Sequence, residues 1–446
     1  MSFPQLRHRC QCGKVVKFLI QRMTNLTRTA TGLRIFAFCI VAASVSLPMA
    51  WVSLGKLVLF VACLVCLGKH LFTGSTDEAL DKLWAVRIIL LILASFALSM
   101  TWTEAPSDIA LLAFAKHSKL LELALLVILI RNAREARIAL AVFFISQGIF
   151  ISSSWVMAAG FRVPWASSAI NTAFNSVVYS TYLDQTLIFS AAAAVLWHLR
   201  LSWPGLRWVA GFLAIAALAN NLFLQEGRTG YLASIAVLVL ALVWEVPKKL
   251  RLLSLVVIPL VVLSGAYLGS DKLQHRTAQM LQESQSYAAQ GSSETSSGFR
   301  LHAWRRSIQA MAQQPLIGHG VGSWTSSVKH IEGQSADQVF GTGLASNPHQ
   351  EFLLWGVELG VVGTLLLLAL VASLVRDALR FEMPVRRATL SVVAVMVVGC
   401  MFNSSLYDAL IGDFFCVTLG VLLARGIRTS NRHKATWPAT PSKALA

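Results

Sequence analysis

The stretch QEFLLWGVELGVVGTLLLLALVASLV (residues 350–375), closed by Arg376, decides the fold. Its two carboxylates, Glu351 and Glu358, lie near its start, and the rest is apolar without a charge. About 20 apolar residues are what a helix needs to cross a hydrocarbon core. Lipid offers backbone amides no partner, so such a segment must satisfy them as a helix. Outward from it the pattern repeats, with spans expected at 35–55, 57–74, 84–102, 109–130, 138–160, 183–199, 206–224, 229–246, 252–270, 350–375, 387–402 and 406–424. Gly55 and Lys56 mark the expected tight connection between the first two. Composition agrees: 56% of residues are hydrophobic, 13% are charged, and mean hydropathy is +0.63. No soluble core hides that much apolar side chain. The expected fold is all-α, a polytopic membrane protein with about 12 transmembrane helices and one long, partly helical outside loop. It divides into a basic tail (1–34), spans one to nine (35–270), the loop (271–349), spans ten to twelve (350–425) and a second tail (426–446).

The formal net charge of +17 would ordinarily suggest nucleic acid. Basic residues of membrane proteins instead collect on the cytoplasmic side. With the N-terminus cytoplasmic, 27 Lys and Arg fall in inside segments and 9 in outside ones. Both termini are therefore expected in the cytoplasm, and the excess charge records topology, with no nucleic-acid partner. None of the seven cysteines falls in an outside loop, so no disulfide framework is expected. Cys63 and Cys66 have the spacing of a redox pair but sit mid-span, where that chemistry is disfavoured. The basic N-terminal segment lacks a small-residue cleavage site and reads as leading into a retained first span.

Short connections leave chemistry to the loops at 161–182 and 271–349. Gln282 to Ser297, rich in Ser and Gln, reads as flexible. From Arg300, helical spacing of Leu301, Trp304, Ile308 and Met311 predicts an amphipathic helix with Arg300, Arg305 and Arg306 on its polar side. Pro315 ends it, and Gly318, Gly320 and Gly322 follow, glycines that permit tight turns and close approach to a ligand, or only a loop that packs closely. Asn347-Pro348-His349-Gln350 resembles a helix start with Asn347 as cap and Pro348 in the first position. That reading puts His349 in the first turn, where the helix dipole favours the neutral imidazole a base needs. Glu358 lies deeper in the span, and intramembrane carboxylates are usually functional or paired.

Arg228, in Glu226-Gly227-Arg228-Thr229-Gly230, joins spans seven and eight on the outside, where arginine needs a reason. A guanidinium there binds phosphate or carboxylate in bidentate fashion, or merely pairs with Glu226 or lipid headgroups. Lys116, Lys119 and Glu122 have the spacing of a salt-bridged ladder in span four, a structural role. Glu104 and Asp108 are an unspecific pair for a metal, and no metal is expected. Taken together, outside arginines, a histidine at a helix start and a glycine-rich loop suit a lipid-linked diphosphate: arginines meet the leaving charge and histidine takes a hydroxyl proton.

In this ordered set the chain resembles the O-antigen ligase/polymerase superfamily of bacterial envelope proteins, from about Arg228 to Gly360. The motifs are Glu-Gly-Arg228-Thr-Gly-Tyr, Arg300-Leu-x-x-Trp304, Pro315-Leu-Ile-Gly-x-Gly-x-Gly, and Asn347-Pro-His349-Gln-x-x-Leu-Leu-x-x-x-Glu358-Leu-Gly360. The resemblance implies a GT-C-like, metal-independent glycosyltransferase of the bacterial inner membrane, with no cofactor. Its donor would be an undecaprenyl-diphosphate-linked O-antigen glycan and its acceptor lipid A–core, among membrane lipids, at the periplasmic face. Arg228 and Arg300 would hold the diphosphate and His349 would activate the acceptor, with Arg305, Gly318, Gly320, Asn347 and Glu358 in support. Glu226-Gly227 departs from relatives that carry Ser before the arginine. Ligase is favoured over polymerase, because no outside arginine is followed by glycine eleven residues later. It is favoured over a protein oligosaccharyltransferase, because only a short basic tail follows Arg425. From a different class, a transporter or flippase of lipid-linked glycans would use the same arginines without a base, but it expects internal repeats that are not seen.

Overall fold

The computed structural model describes residues 31–73, 82–166, 176–179, 181–290, 295–333 and 347–435, and most of the basic N-terminal segment lies outside these residues. All regular structure among the described residues is helical. The helices run α1 (Thr31–Ser44), α2 (Met49–Thr73), α3 (Trp84–Ser99), α4 (Ser107–His117), α5 (Leu121–Leu129), α6 (Ala133–Ala158), α7 (Tyr182–Leu199), α8 (Arg207–Ala219) and α9 (Arg228–Glu245). They continue with α10 (Arg251–Gly269), α11 (Asp271–Gln290), α12 (Ser296–Gln313), α13 (Trp324–Glu332), α14 (Glu351–Ala378), α15 (Met383–Phe402) and α16 (Ala409–Ala435).

Eight segments are long and apolar enough to cross a membrane by length and composition: α2, α6, α8 with its flanking turns, α9, α10 with its leading turn, α14, α15 and α16. The other four expected spans are also helical. α1 and α3 are shorter, α7 opens on polar residues, and the fourth is broken at Ser118–Leu120 between α4 and α5. α7 and α16 are buried over most of their length, whereas α10 is exposed along nearly all of it. α7 packs on α8, α9 and α15; α14 packs on α3, α12 and α15.

Several expectations need correction. The first connection lies at residues 45–48, not at Gly55-Lys56. Pro48 has no amide hydrogen to continue a helix, while Lys56 sits inside α2 and pairs with Asp413 at 2.9 Å. Arg34 belongs to α1 and not to the tail; it is buried and pairs with Glu135 at 3.0 Å. Residues 282–290, read as flexible, form the end of α11. The face that α12 buries is not the large apolar stripe but the small residues Ala303, Ser307 and Ala310, and Ile308 is exposed. Small side chains let α12 come close to α14, where Met311 meets Gly356. Nor do Lys116, Lys119 and Glu122 form a ladder, because the helix breaks between them. Lys119 instead donates to the carbonyls of Tyr407 (3.0 Å) and Asp408 (2.6 Å), and Lys116 lies 4.3 Å over the Tyr407 ring.

Candidate active site

The glycine-rich segment does structural work. Gly360 takes φ 64°, ψ −148° and breaks α14, so the carbonyls of Val357 and Glu358 lose their helical partners. His319 N–H donates to Val357 O and Gly320 N–H to Glu358 O, both at 2.9 Å, while Val361 N–H turns to Pro315 O at 2.8 Å. The segment after α12 is thus stitched into the break. Gly318 and Gly320 have positive φ, and a Cβ on Gly318 would stand 2.5 Å from Gly360 N. The close approach these glycines allow is to the chain's own backbone. Glu358 is fully buried and accepts from Gly322 N–H at 2.8 Å, with His117 Nε2 at 2.9 Å. His319 is committed twice, with Nε2 on Ala310 O and Nδ1 on Glu104, each at 2.9 Å. Glu104, half of the pair considered for a metal, is therefore this histidine's partner.

His349 is placed differently. It does not sit in the first turn of α14, because the cap is Gln350, whose side chain accepts from Leu353 N–H. Asn347 instead accepts from His349 N–H at 2.9 Å, closing a local turn that gives His349 φ 51°. It is the one non-glycine residue at positive φ among those described. Such outliers cluster at functional sites because surrounding structure must hold them. The half-buried ring has Nδ1 2.9 Å from Asn403 Oδ1, and Asn403 Nδ2 donates to Asp408 Oδ2 at 2.9 Å. An ionised carboxylate only accepts, so Asn403 must turn its amide to Asp408 and its oxygen to His349. Nδ1 then carries the proton, and the Nε2 lone pair is left available. No hydrogen bond engages Nε2 among the described residues.

The turn carrying Asn403 and Asp408 is clamped from two sides. Glu351, buried at the start of α14, accepts from Leu406 N–H (2.8 Å) and Tyr407 N–H (3.3 Å), while Lys119 holds the carbonyls named above. Burial raises the Asp408 carboxyl above its ordinary value, opposed by the positive charges of Lys119 and Lys116 and by the Asn403 hydrogen bond. Sequence reading missed Asn403 and Asp408; their one local signal is polarity at the start of an apolar span.

The arginines meet on the adjoining side. Gly230 lies so close to Thr186 of α7 that a Cβ would overlap it, and Arg228 opens α9 just before it. Arg228 donates from Nη1 to Ser297 Oγ (2.5 Å) and from Nη2 to Glu283 Oε2 (3.2 Å). Arg300, one turn beyond Ser297 on α12, makes no hydrogen bond or ion pair among the described residues. Burial pulls its guanidinium below its ordinary value, and the group stays protonated. Arg228, Ser297, Arg300, Trp304 and Phe402 line one cavity of about 220 Å³. Trp304 donates to Pro348 O at 3.1 Å, and the Phe299 ring centroid is 6.0 Å from that of His349, so the same helix borders the histidine. Arg305 is exposed with no partner among the described residues, and Arg306 ties α12 to Glu332 of α13. Arg228, Arg300, Asn347 and His349 are thus brought around α12 and the head of α14, while Gly318, Gly320 and Glu358 belong to the scaffold beneath.

A second cavity, of about 320 Å³, also has Arg228 on its wall and is otherwise lined by residues such as Leu232, Ile235, Leu263, Tyr267 and Met280 of α9, α10 and α11. Among the described residues no cluster of three or more His, Cys, Asp or Glu is arranged to hold a metal ion. The arrangement offers two cations for an anion, a largely apolar cavity that shares Arg228 with the first, and an oriented imidazole with a free lone pair. No curated protein matches the chain. Residues 212–368, which take in Arg228, Arg300, the glycine-rich segment and His349, are similar to the family whose model is described as O-antigen ligase.

Proposed function

We propose that the protein is an O-antigen ligase, transferring glycan from undecaprenyl diphosphate to a sugar hydroxyl of lipid A–core at the periplasmic face of the bacterial inner membrane. The observation that carries this reading is His349, whose Nδ1 is fixed on Asn403 while Nε2 is left open beside an arginine-lined cavity. Nε2 takes the proton of the acceptor hydroxyl, and the oxygen attacks the anomeric carbon from the face opposite the diphosphate. The new glycosidic bond forms as the anomeric carbon–oxygen bond breaks, inverting configuration. Undecaprenyl diphosphate leaves with the bonding pair, its charge met by Arg228 and Arg300. The apolar cavity along α9 and α10 suits the isoprenoid tail, since α10 stands nearly free of the bundle and open to lipid.

The excess of basic residues in the expected inside segments over the outside ones supports cytoplasmic termini and a periplasmic site. The two arginines supply the charge stabilisation that a divalent cation provides in other transferases, so the reaction should survive EDTA. The test is transfer by purified protein from lipid-linked donor to rough lipopolysaccharide. Product only with the lipid A–core acceptor supports ligase. Chain extension without it supports the polymerase of the same superfamily, and donor translocation without transfer supports a flippase. Loss of activity in EDTA, restored by a divalent cation, rejects the metal-independent mechanism.

A further inference from the structure

Arg228 is not waiting bare for its ligand. Glu283 of α11 puts Oε2 3.2 Å from Arg228 Nη2, and the same oxygen accepts from Ser297 N–H at 3.2 Å. Ser297 N–H is one of the unpaired amides in the first turn of α12, whose cap, Thr295, accepts from Gly298 N–H. The carboxylate therefore lies between a guanidinium and a helix N-terminus, the pair of donors that also suits a phosphate oxygen. Arg300, one turn along α12 from Ser297, shares a cavity wall with Arg228 and Ser297 and has no anion of its own among the described residues. Burial would raise the Glu283 carboxyl, but the hydrogen bonds from Ser297 and Arg228 hold it below its ordinary range, so it is ionised at neutral pH. α11 is linked to this face a second time, through Arg276 and Glu226.

We propose that Glu283 is an internal stand-in for the donor's diphosphate, a carboxylate that occupies Arg228 and the α12 N-terminus until a phosphate oxygen replaces it. The exchange sets donor affinity. Two ionised groups cannot share the same donors without repulsion, so bound diphosphate expels the carboxylate toward solvent and frees α11 at that end. The product, undecaprenyl diphosphate, must in turn be released, and the returning carboxylate competes with it for the same guanidinium. The proposal rests on the reading of Arg228 as a diphosphate ligand.

The test uses the full-length purified protein and undecaprenyl diphosphate as probe. Glu283→Gln keeps the shape of the side chain and removes its charge; Glu283→Ala removes the competitor altogether. Both are expected to bind the probe about two- to fivefold more tightly than the unaltered protein, the scale of losing one partly exposed ion pair. Arg228→Ala is expected to lose most of the binding in either background. If Arg228→Ala weakens binding but both Glu283 variants bind as the unaltered protein does, or more weakly, Glu283 merely positions Arg228 and the proposal is overturned alone. Unchanged binding by Arg228→Ala overturns the diphosphate reading itself, and this proposal with it. A thermal unfolding midpoint for each variant separates misfolding from lost affinity; should Glu283→Ala unfold, Glu283→Gln decides.

Discussion

Two histidines at the same end of the molecule are used in opposite ways. His319 lies in Gly318-His319-Gly320, is 4% exposed, and commits both ring nitrogens to protein, one to a carbonyl and one to Glu104. His349 lies in Pro348-His349-Gln350, is half-buried in a left-handed turn, and commits only Nδ1. The first ring is a rivet between α12 and the loop after α3. The second is oriented by a neutral amide whose other end rests on Asp408, and it keeps one lone pair. A histidine's neighbours, more than its presence in a motif, decide whether it can do acid–base work.

The largest effect should come from reversing these roles. His349→Ala is expected to cut glycan transfer by roughly 10²- to 10⁴-fold with little change in thermal stability. His319→Ala should do the converse, losing about 1–3 kcal/mol as its two hydrogen bonds, to Glu104 and the Ala310 carbonyl, are removed, while transfer per folded molecule persists. Equal loss of transfer in both variants would erase the distinction. Next, Arg300→Gln should lower transfer by about 10²-fold or more, the scale of removing one preorganised donor to the leaving charge, measured at saturating acceptor. Arg305→Gln, exposed on the same helix, should leave the rate within twofold or so of the original, as a surface substitution does.

The comparison was only partly legible in the sequence. The helices at the twelve apolar runs were readable, eight of them long and apolar enough to cross a membrane, because apolar runs in lipid have one structural solution. Their ends were not. Gly55-Lys56 looked like a connection because a lysine in a span is expensive, and its partner Asp413 is far away in sequence. Likewise Asn347 and Pro348 fit a helix start locally, yet tertiary contacts from Trp304 and Asn403 hold the segment out of the helix. Arg228, Arg300 and His349 could be named from residue type and position, but Asn403 and Asp408 could not, because what matters about them is a hydrogen bond across 54 residues. Gly318, Gly320 and Glu358 serve the break in α14, one of the two readings open to them from sequence, since a glycine's need for space does not say what fills it.

Smaller effects sharpen the same contrast. Asn403→Ala leaves His349 in place but frees its tautomer. Transfer should fall by tenfold to a hundredfold, less than the roughly 10⁴ that a wrong tautomer costs a serine-protease triad, and donor binding should hold. In the scaffold, Gly318→Ala sets a Cβ against Gly360 N at positive φ and should destabilise by more than about 1 kcal/mol. Transfer per folded molecule should then be unchanged. Smallest is the tie from Glu332 to Arg306 and His302. Burial would raise the Glu332 carboxyl, but these partners hold it below its ordinary value. A depressed carboxylate stabilises above its unfolded value near ~4.3, and that stability fades as pH falls through the folded value. The loss should be below about 1 kcal/mol, seen as a lower unfolding midpoint at acid pH that Glu332→Gln abolishes.

The most direct measurement is chemical rescue of the His349→Ala protein by free imidazole, in an assay of transfer from lipid-linked donor to rough lipopolysaccharide. If His349 supplies only a base, the variant binds undecaprenyl diphosphate as the unaltered protein does, and transfer returns in proportion to imidazole concentration. Wild-type transfer by the variant without imidazole, or loss of diphosphate binding in the variant, would contradict the account.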